Sequence, residues 1–95
     1  VVAFDTEKEA IEQANNTRYA LAAYAYTTDL NRTWRVGEML EAGTIGLNDA
    51  VPSTSNCPFG GVKESGLGRE LGIEGMEAFT ETKHLSIGAV QDSPE

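Results

Sequence analysis

The amino-acid sequence predicts an α/β fold: a βαβαβ portion of a parallel open sheet with helices, followed by a glycine-rich loop, a short helix and a terminal strand. The first observation behind this prediction is that three short strand-like segments alternate with two helical segments across short joints, which is typical of right-handed βαβ crossovers. The second is that four glycines fall between positions 60 and 68, where the chain must take positive φ or let another backbone approach closely.

The first strand and the first helix are predicted within residues 1–16. Residues 1–4 are a continuous apolar run, as expected of a strand that is buried on both faces. Thr6 and Glu9 have the spacing of a capping box, in which each side chain satisfies a free backbone N–H. Asn16 is an expected end for this helix, since Asn tolerates the left-handed cap. The acidic residues of the helix are interpreted as a solvated face.

The second βα unit is predicted from Leu21 onward. Residues 21–28 are rich in Tyr and Thr, which favours a strand. Asp29 is the predicted N-cap of the second helix, whose apolar stripe includes Trp34 as a core residue. Gly43 is predicted to end this helix in the usual C′ position. A third short strand is predicted at residues 44–47.

The second half of the sequence is less regular. Residues 49–56 are polar and contain a proline and three hydroxyl residues, so we expect a loop, and it lies where ligands bind in open α/β sheets, beyond the carboxyl end of a strand. A short helix is predicted over about residues 73–79, and a final strand is predicted at residues 82–87 from their alternation. The predicted division is 1–81 for the main domain, 82–90 for the terminal strand and 91–95 for a polar tail.

Composition excludes several classes of partner. Seven Lys and Arg residues against fifteen Asp and Glu residues give a formal net charge of −8, so no nucleic-acid partner is expected. No apolar run approaches membrane-spanning length, so no membrane partner is expected. The single Cys cannot form an internal disulfide, and a cytoplasmic location is the default. The start inside an apolar run, without Met, predicts a piece of a longer protein.

Three features that suggest chemistry do not meet its requirements. The glycine-rich segment fits neither the P-loop pattern nor G-x-G-x-x-G, because no Gly-Lys pair exists and Leu71 stands where the third glycine should be. Cys57 has no base or cation near it in the predicted fold, so it is interpreted as a bystander. His84 is the single His, and no metal site is predicted.

Several motifs occur in order and at a characteristic spacing: Ala-Gly-Thr-Ile-Gly-Leu-Asn at 42–48, Pro-Phe-Gly-Gly-Val-Lys at 58–63 and Ser-Gly-Leu-Gly-Arg-Glu at 65–70. They resemble the C-terminal part of the aldehyde dehydrogenase superfamily. The resemblance covers about residues 1–88 and is closest to succinate-semialdehyde dehydrogenases. It implies an enzyme that oxidises a small-molecule aldehyde to the carboxylic acid with NAD or NADP.

The resemblance also implies what this chain does not supply. The family's nucleophile lies in a Gly-Gln-x-Cys type of segment. The Glu that activates water lies in a Glu-Leu-Gly-Gly type of segment, and the residues that hold the cofactor ribose lie in a Glu-x-x-Phe-Gly-Pro segment. None of these three segments occurs in this sequence. The expected identity is therefore the C-terminal portion of the catalytic domain, with the last strand of the oligomerisation arm. We expect no catalytic residue, no bound cofactor and no dehydrogenase activity in this chain alone.

The resemblance assigns roles to matching positions. Val51, Ser53 and Thr54, together with Phe59, are similar to the wall of the aldehyde tunnel, where the two hydroxyl groups would suit a substrate carboxylate. Pro52 departs from the family, because many semialdehyde members carry an aliphatic residue there, so the exact aldehyde stays open.

Three further positions have implied structural roles. Asn48 resembles the family Asn that braces the active-site loops. Arg69 and Glu81 match positions that meet at the family's dimer interface, which implies an ion pair between subunits of a homo-oligomer, a dimer or a tetramer. The alternative is a free-standing, non-catalytic module that oligomerises or binds a partner through its terminal strand.

Overall fold

The structure, a computed structural model, describes residues 1–89. Within that range two strands pair in parallel and two pair antiparallel, so there are two small sheets. No helix in this range is long and apolar enough to cross a membrane. The elements in chain order are α1 (Glu7–Asn15), β1 (Tyr19–Ala20), β2 (Ala22–Ala25), α2 (Leu30–Met39), β3 (Thr44–Leu47), β4 (Val62–Lys63) and α3 (Gly72–Glu77).

A parallel βαβ unit forms the centre of the fold. Strands β2 and β3 pair in parallel, from Ala22 opposite Thr44 to Ala25 opposite Leu47, and α2 makes the crossover between them. This confirms the α/β class and places β3 at the predicted residues. The full βαβαβ unit is not found, because residues 1–4 form no ladder with either strand. A strand requires a hydrogen-bonded neighbour, and apolarity by itself does not supply one.

Side-chain caps start both long helices, as the sequence predicted. The hydroxyl of Thr6 accepts from Glu9 N at 3.1 Å, and the Glu9 carboxylate accepts from Asp5 N at 3.1 Å. The carboxylate of Asp29 accepts from Arg32 N at 3.0 Å and begins α2. Thr6 and Asp29 each satisfy the N–H of the third helical residue, which has no partner inside the helix, whereas Asp5 N lies just before the helix.

The prediction that Gly43 ends α2 is wrong. The helix ends at Met39 and its C-cap, Leu40, is extended. Gly43 instead lies where two backbones meet, because a Cβ placed on it would collide with the carbonyl group of Gly60. Its own N–H donates to Ala20 O at 3.1 Å. This glycine is required by a close tertiary approach, which local sequence does not reveal.

The glycine-rich segment contains a strand that the sequence did not predict. Strand β4 pairs antiparallel with β1, with Tyr19 opposite Lys63 and Ala20 opposite Val62. The backbones of Phe59 and Glu70 form a further antiparallel bridge. We refer to residues 59–70 as the glycine hairpin. Helix α3 follows it; it begins one residue earlier and ends two residues earlier than the predicted helix.

The predicted terminal strand at 82–87 is absent from the described residues. Residues 80–89 are exposed and form no helix or strand, and they pair with no strand in the range 1–89. A β-ladder needs a second strand, so alternation alone could not produce one here. The predicted tail at 91–95 and residue 90 lie outside the described residues.

Little of the apolar surface is buried in the described part of the chain. Ile11 and Ala20 are its buried apolar residues, at 7% and 4% exposure. Trp34, which was predicted to be a core residue, is 67% exposed. Three short helices and two two-stranded sheets enclose too little volume to cover a side chain of that size. Exposed apolar surface on this scale is typical of an interface with other protein.

A polar cluster joins the two long helices. The Glu7 carboxylate accepts hydrogen bonds from Arg35 Nε and Nη2 at 2.9 and 3.0 Å and from Arg32 Nε at 2.9 Å. These bonds, that from Arg35 first, lower the pKa of Glu7 from its ordinary 4.5 to about 2. The sequence had suggested that these side chains simply face solvent.

We expect Gly43→Ala to lower the free energy of unfolding by about 1–3 kcal/mol, the usual cost of overpacking. The new methyl group would meet the Gly60 carbonyl, which is backbone and cannot rotate away. Urea unfolding followed by circular dichroism measures the change. Gly88→Ala is the matched control, because nothing lies within 4 Å of a Cβ at that position. Equal urea midpoints for the two variants would contradict the close approach of the Gly43 and Gly60 backbones.

We expect acid to remove the stabilisation that Glu7 provides. Because the folded pKa lies below the unfolded one, this contribution is present above pH 4.5 and is lost as the pH falls toward about 2. Glu7→Gln should therefore make the unfolding midpoint less dependent on pH in that window. Glu12→Gln is the control, since Glu12 only approaches Lys8, at 3.9 Å on the exposed face of α1. If Glu7→Gln left the pH dependence of the unfolding midpoint unchanged, the ion pairs of Glu7 with Arg32 and Arg35 would be contradicted.

Candidate functional site

The candidate site lies beyond the carboxyl ends of the parallel strands. Strands β2 and β3 end at Ala25 and Leu47, and the chain after β3 enters the loop at residues 49–58 and then the glycine hairpin. Ligands bind at this edge of open parallel sheets. All seven residues to which the resemblance assigns a role come after this edge in the chain.

Asn48 ties the ends of the two parallel strands together. Its side chain accepts from Thr27 N at 2.8 Å and donates to Thr27 O at 2.9 Å. Its backbone N–H donates to Ala25 O at 2.8 Å. The residue has a φ of 55°, in the left-handed region that Asn tolerates better than most residues. Asn48 therefore supports the edge of the sheet from which the loop departs.

The loop at 49–58 is held by its backbone and leaves side chains exposed. Asp49 accepts from Val51 N at 3.0 Å, Cys57 N donates to Thr54 O at 3.3 Å and Gly72 N donates to Ser55 O at 3.0 Å. The last of these bonds ties the loop to the beginning of α3. The loop is thus held near its start by the Asp49 side chain and is tied to α3 through Ser55.

The tunnel-wall candidates differ in their surroundings. Val51, Ser53 and Thr54 are exposed, whereas Phe59 is half-buried. The hydroxyl groups of Ser53 and Thr54 make no hydrogen bond to another residue in the range 1–89. The Phe59 backbone exchanges two hydrogen bonds with Glu70, at 2.7 and 2.8 Å. Phe59 is therefore on a paired backbone, whereas Ser53 and Thr54 are exposed residues of the loop that precedes it.

Arg69 is bound to carbonyl groups of its own hairpin. Its Nη1 donates to Gly61 O at 2.8 Å and to Gly68 O at 2.7 Å. Its aliphatic part lies across Gly60, where an added Cβ would be 2.6 Å from Arg69 Cδ. Glu81 is exposed, and within residues 1–89 it forms no ion pair with Arg69. Pairing inside the chain is therefore not observed, and pairing between subunits stays a prediction.

Three backbone amides of the glycine hairpin are not available to the phosphates of a dinucleotide. A phosphate cradle needs backbone N–H groups that point at the ligand. The N–H groups of Ser65 and Gly66 donate instead to Val62 O and Lys63 O, at 3.2 and 3.4 Å, and Glu70 N donates to Phe59 O. These amides are occupied within the chain, so no residue of the hairpin is assigned to a cofactor.

The sequence analysis did not predict a cluster of polar side chains that holds the glycine hairpin against the helices. Lys63 Nζ lies 3.1 Å from Asn15 O and 2.6 Å from the Glu41 carboxylate. The Asn15 side chain donates to Met39 O and accepts from Glu41 N, both at 2.9 Å. The only signal in the sequence was the absence of a basic residue from the last turns of α1 and α2, where a cation is favourable.

Comparison with known proteins assigns the family. Residues 1–85 match the aldehyde dehydrogenase family, and the chain belongs to it. The chain is 49% identical over 87 residues to succinate semialdehyde dehydrogenase of Acinetobacter baylyi, a match that covers 92% of this chain and 18% of the relative. It is 47% identical over 90 residues to the human mitochondrial succinate-semialdehyde dehydrogenase, covering 95% of this chain and 17% of the relative.

Solved structures agree with this assignment. An Escherichia coli NADP dependent enzyme is similar with a TM-score of 0.87 and 49% identity, over 90% of this chain and 18% of that one. Succinate-semialdehyde dehydrogenase from Burkholderia pseudomallei is similar with a TM-score of 0.77 and 47% identity, over 80% of this chain and 16% of that one. The chain thus spans less than a fifth of the length of the curated relatives it matches.

We expect Asn48→Ala to release the amide of Thr27. The substitution removes the acceptor of that N–H and leaves alanine at a φ of 55°, with a cost of about 1–3 kcal/mol. Hydrogen exchange measured residue by residue should show faster exchange at Thr27. Asn56→Ala in the exposed loop is the control and should leave Thr27 unchanged. Equal exchange rates at Thr27 in the two variants would contradict the hydrogen bond between Asn48 and Thr27.

Proposed function

We propose that this chain is the C-terminal part of an NAD(P)-dependent aldehyde dehydrogenase that oxidises succinate semialdehyde or a similar semialdehyde to the carboxylic acid. Family membership over residues 1–85 supports the reaction class. Relatives named succinate-semialdehyde dehydrogenase, at 47–49% identity, support the substrate class. The small share of each relative that is matched supports a contribution to a larger enzyme.

The observation that carries the proposal is the exposed polar loop after β3, at the carboxyl edge of the parallel strands. Val51, Ser53, Thr54 and Phe59 are the proposed wall of the substrate tunnel. A semialdehyde that bears a carboxylate needs hydrogen-bond donors at the end away from the reacting carbonyl. The hydroxyl groups of Ser53 and Thr54 are exposed and have no partner within residues 1–89, which suits that role.

In this proposal the chain orients the substrate and does not perform the chemistry. Asn48 supports the loop through its bonds to Thr27. Cys57 is exposed, and within residues 1–89 its thiol makes no hydrogen bond that could activate it, so it is not assigned as a nucleophile. The cofactor, NAD or NADP, is assigned to no residue here, and the chain alone is expected to be inactive.

The same proposal gives the end of the chain a role between subunits. Residues 1–81 would belong to the catalytic domain and 82–90 to an oligomerisation arm, in a homo-oligomer in the cytoplasm. Phe79, Leu85 and Ile87 are 94%, 75% and 86% exposed, which supports association through this segment. Arg69 and Glu81 are the proposed ion pair across that contact.

A second candidate function rests on the same exposed segment. A free-standing module could use residues 80–89, which are exposed and have no strand partner in the described range, to associate by strand addition. This candidate requires no aldehyde and no enzyme. Light scattering of the chain by itself, combined with the experiment below, separates the two candidates.

The decisive experiment is a chimera in which this chain replaces the matching segment of the Acinetobacter baylyi enzyme. We expect the chimera to oxidise succinate semialdehyde, measured as reduction of NAD or NADP. An inactive but folded chimera, together with a defined oligomer of the chain alone, would favour the second candidate and contradict the first.

We expect Ser53→Ala and Thr54→Ala in the chimera to raise KM for succinate semialdehyde about tenfold, the effect of losing a hydrogen bond to a charged group. The KM for butanal, which has no carboxylate, should be unchanged. Ser55→Ala is the matched control, since the observed bond of Ser55 uses its backbone carbonyl. Equal effects on the two aldehydes would show that the hydroxyl groups do not recognise a carboxylate.

A further inference from the structure

Lys63 has an unusual set of partners for a lysine in a surface hairpin. Its ammonium group donates to Asn15 O at 3.1 Å and to Thr17 O at 3.4 Å, and it lies 2.6 Å from the Glu41 carboxylate. The side chain is 30% exposed, whereas that of Lys8 is 84% exposed. The partners come from the end of α1 and from the segment after α2, so one amine contacts two separate parts of the fold.

These contacts place a cation at the end of α1, which has no basic residue in its own last turn. The last carbonyl groups of a helix have no internal partner and carry partial negative charge, so a cation there is favourable. Neither α1 nor α2 has a basic residue in its last turn. Lys63 supplies a cation at the end of α1 from 48 positions away in the chain. Asn15 connects that end to α2 through Met39 O and Glu41 N.

The backbone at Lys63 is held in a conformation that lysine rarely adopts. Its φ is 54°, and a non-glycine residue persists there only when its surroundings hold it. The pairing of β4 with β1 and the bond from Ala20 N to Ser65 Oγ at 2.7 Å are two of those restraints. The contacts of the ammonium group are the third, and they are the ones that reach the helices.

The restraint at Lys63 extends to Phe59 through a short and tightly packed backbone. The segment between them is Gly60 and Gly61 followed by β4. Gly60 lies against Gly43, and a Cβ on Gly61 would be 3.2 Å from Ala20 O. Backbone in direct contact with its neighbours on this scale transmits a shift rather than absorbing it.

We propose that Lys63 is a positioning residue for the aldehyde site: its ammonium group fixes the glycine hairpin to the ends of α1 and α2 and thereby holds Phe59 in the tunnel wall. The inference rests on the proposed function, because it takes Phe59 as part of the substrate site. An exposed ion pair between two mobile side chains would have little effect. Lys63 differs from that case in its two carbonyl partners and in its restrained backbone.

The first test examines the contacts without reference to activity. Limited acetylation of the full chain by a water-soluble active ester, read by mass spectrometry, compares Lys63 with Lys8 in the same sample. We expect Lys63 to react at least about fivefold more slowly, because its amine is engaged by three oxygen partners. Glu41→Gln should increase the rate at Lys63. Glu64→Gln is the matched control, since that carboxylate pairs with Arg18 instead. Equal rates at the two lysines would overturn the proposal.

The second test measures positioning in the active chimera. We expect Lys63→Met to raise KM for succinate semialdehyde about tenfold, with a much smaller change in kcat, because Phe59 moves while the chemistry is elsewhere. Lys63→Arg, which keeps the charge, should recover part of the loss, and Lys8→Met should have no effect. If Lys63→Met does not fold, Glu41→Gln keeps the lysine and should shift KM in the same direction.

The outcomes separate this inference from the proposed function. Slow acetylation at Lys63 with unchanged KM in an active chimera would mean that Lys63 is structural only, and the positioning role would be overturned. An inactive chimera that carries the native Lys63 would contradict the proposed function, and the positioning role would fall with it. Slow acetylation at Lys63 together with a rise in KM for Lys63→Met would support both the positioning role and the proposed function.

Discussion

The backbone contact between Gly43 and Gly60 is the constraint on which the rest of this structure depends. It lies at the start of β3, where Gly43 N also donates to Ala20 O, and it brings the glycine hairpin directly against the βαβ unit. No side chain can stand between two backbones at that distance. Through this contact the hairpin that carries Phe59 and Arg69 becomes part of the same body as the parallel strands.

Polar connections hold this chain together to an unusual extent. Ile11 and Ala20 are the buried apolar residues of the described range, and a pair of two-stranded sheets is only marginally stable by itself. Besides the strand ladders and the backbone contact at Gly43, connections between separate parts of the chain are made by single polar side chains: Glu7, Asn15, Asn48 and Lys63. Such bonds are directional, so they specify how the elements are arranged even where little surface is buried.

The exposed apolar residues are consistent with a segment that works inside a larger protein. Leu30, Trp34 and Phe79 are among the large side chains that the described residues leave uncovered. The family match over residues 1–85 covers less than a fifth of the curated relatives, so most of their length has no counterpart here to cover these residues. The proposed roles of the chain, in the substrate wall and in subunit contact, are therefore roles toward other parts of an enzyme.

Local chemistry was sufficient wherever an element depends on residues close to it in sequence. Thr6 and Asp29 could be recognised as caps because a cap is satisfied within one helical turn, and β3 lies at the residues where the sequence predicted a strand. The motifs around the glycine hairpin identified the family, which the comparison confirmed. The sequence thus determined the α/β class, the starts of both long helices and the family.

Only the tertiary structure revealed the features that depend on contacts between residues far apart in the sequence. Gly43 was misplaced at a helix end because its real constraint is a carbonyl group 17 positions away. Strand β4 was missed, and the strand at residues 1–4 was predicted wrongly, because pairing belongs to two segments at once. Lys63 was predicted only as part of the glycine-rich loop, and only the fold shows its amine at the end of α1 and beside the Glu41 carboxylate. Hydrogen bonds and close contacts of this kind form between groups that only the fold brings together, so no local pattern records them.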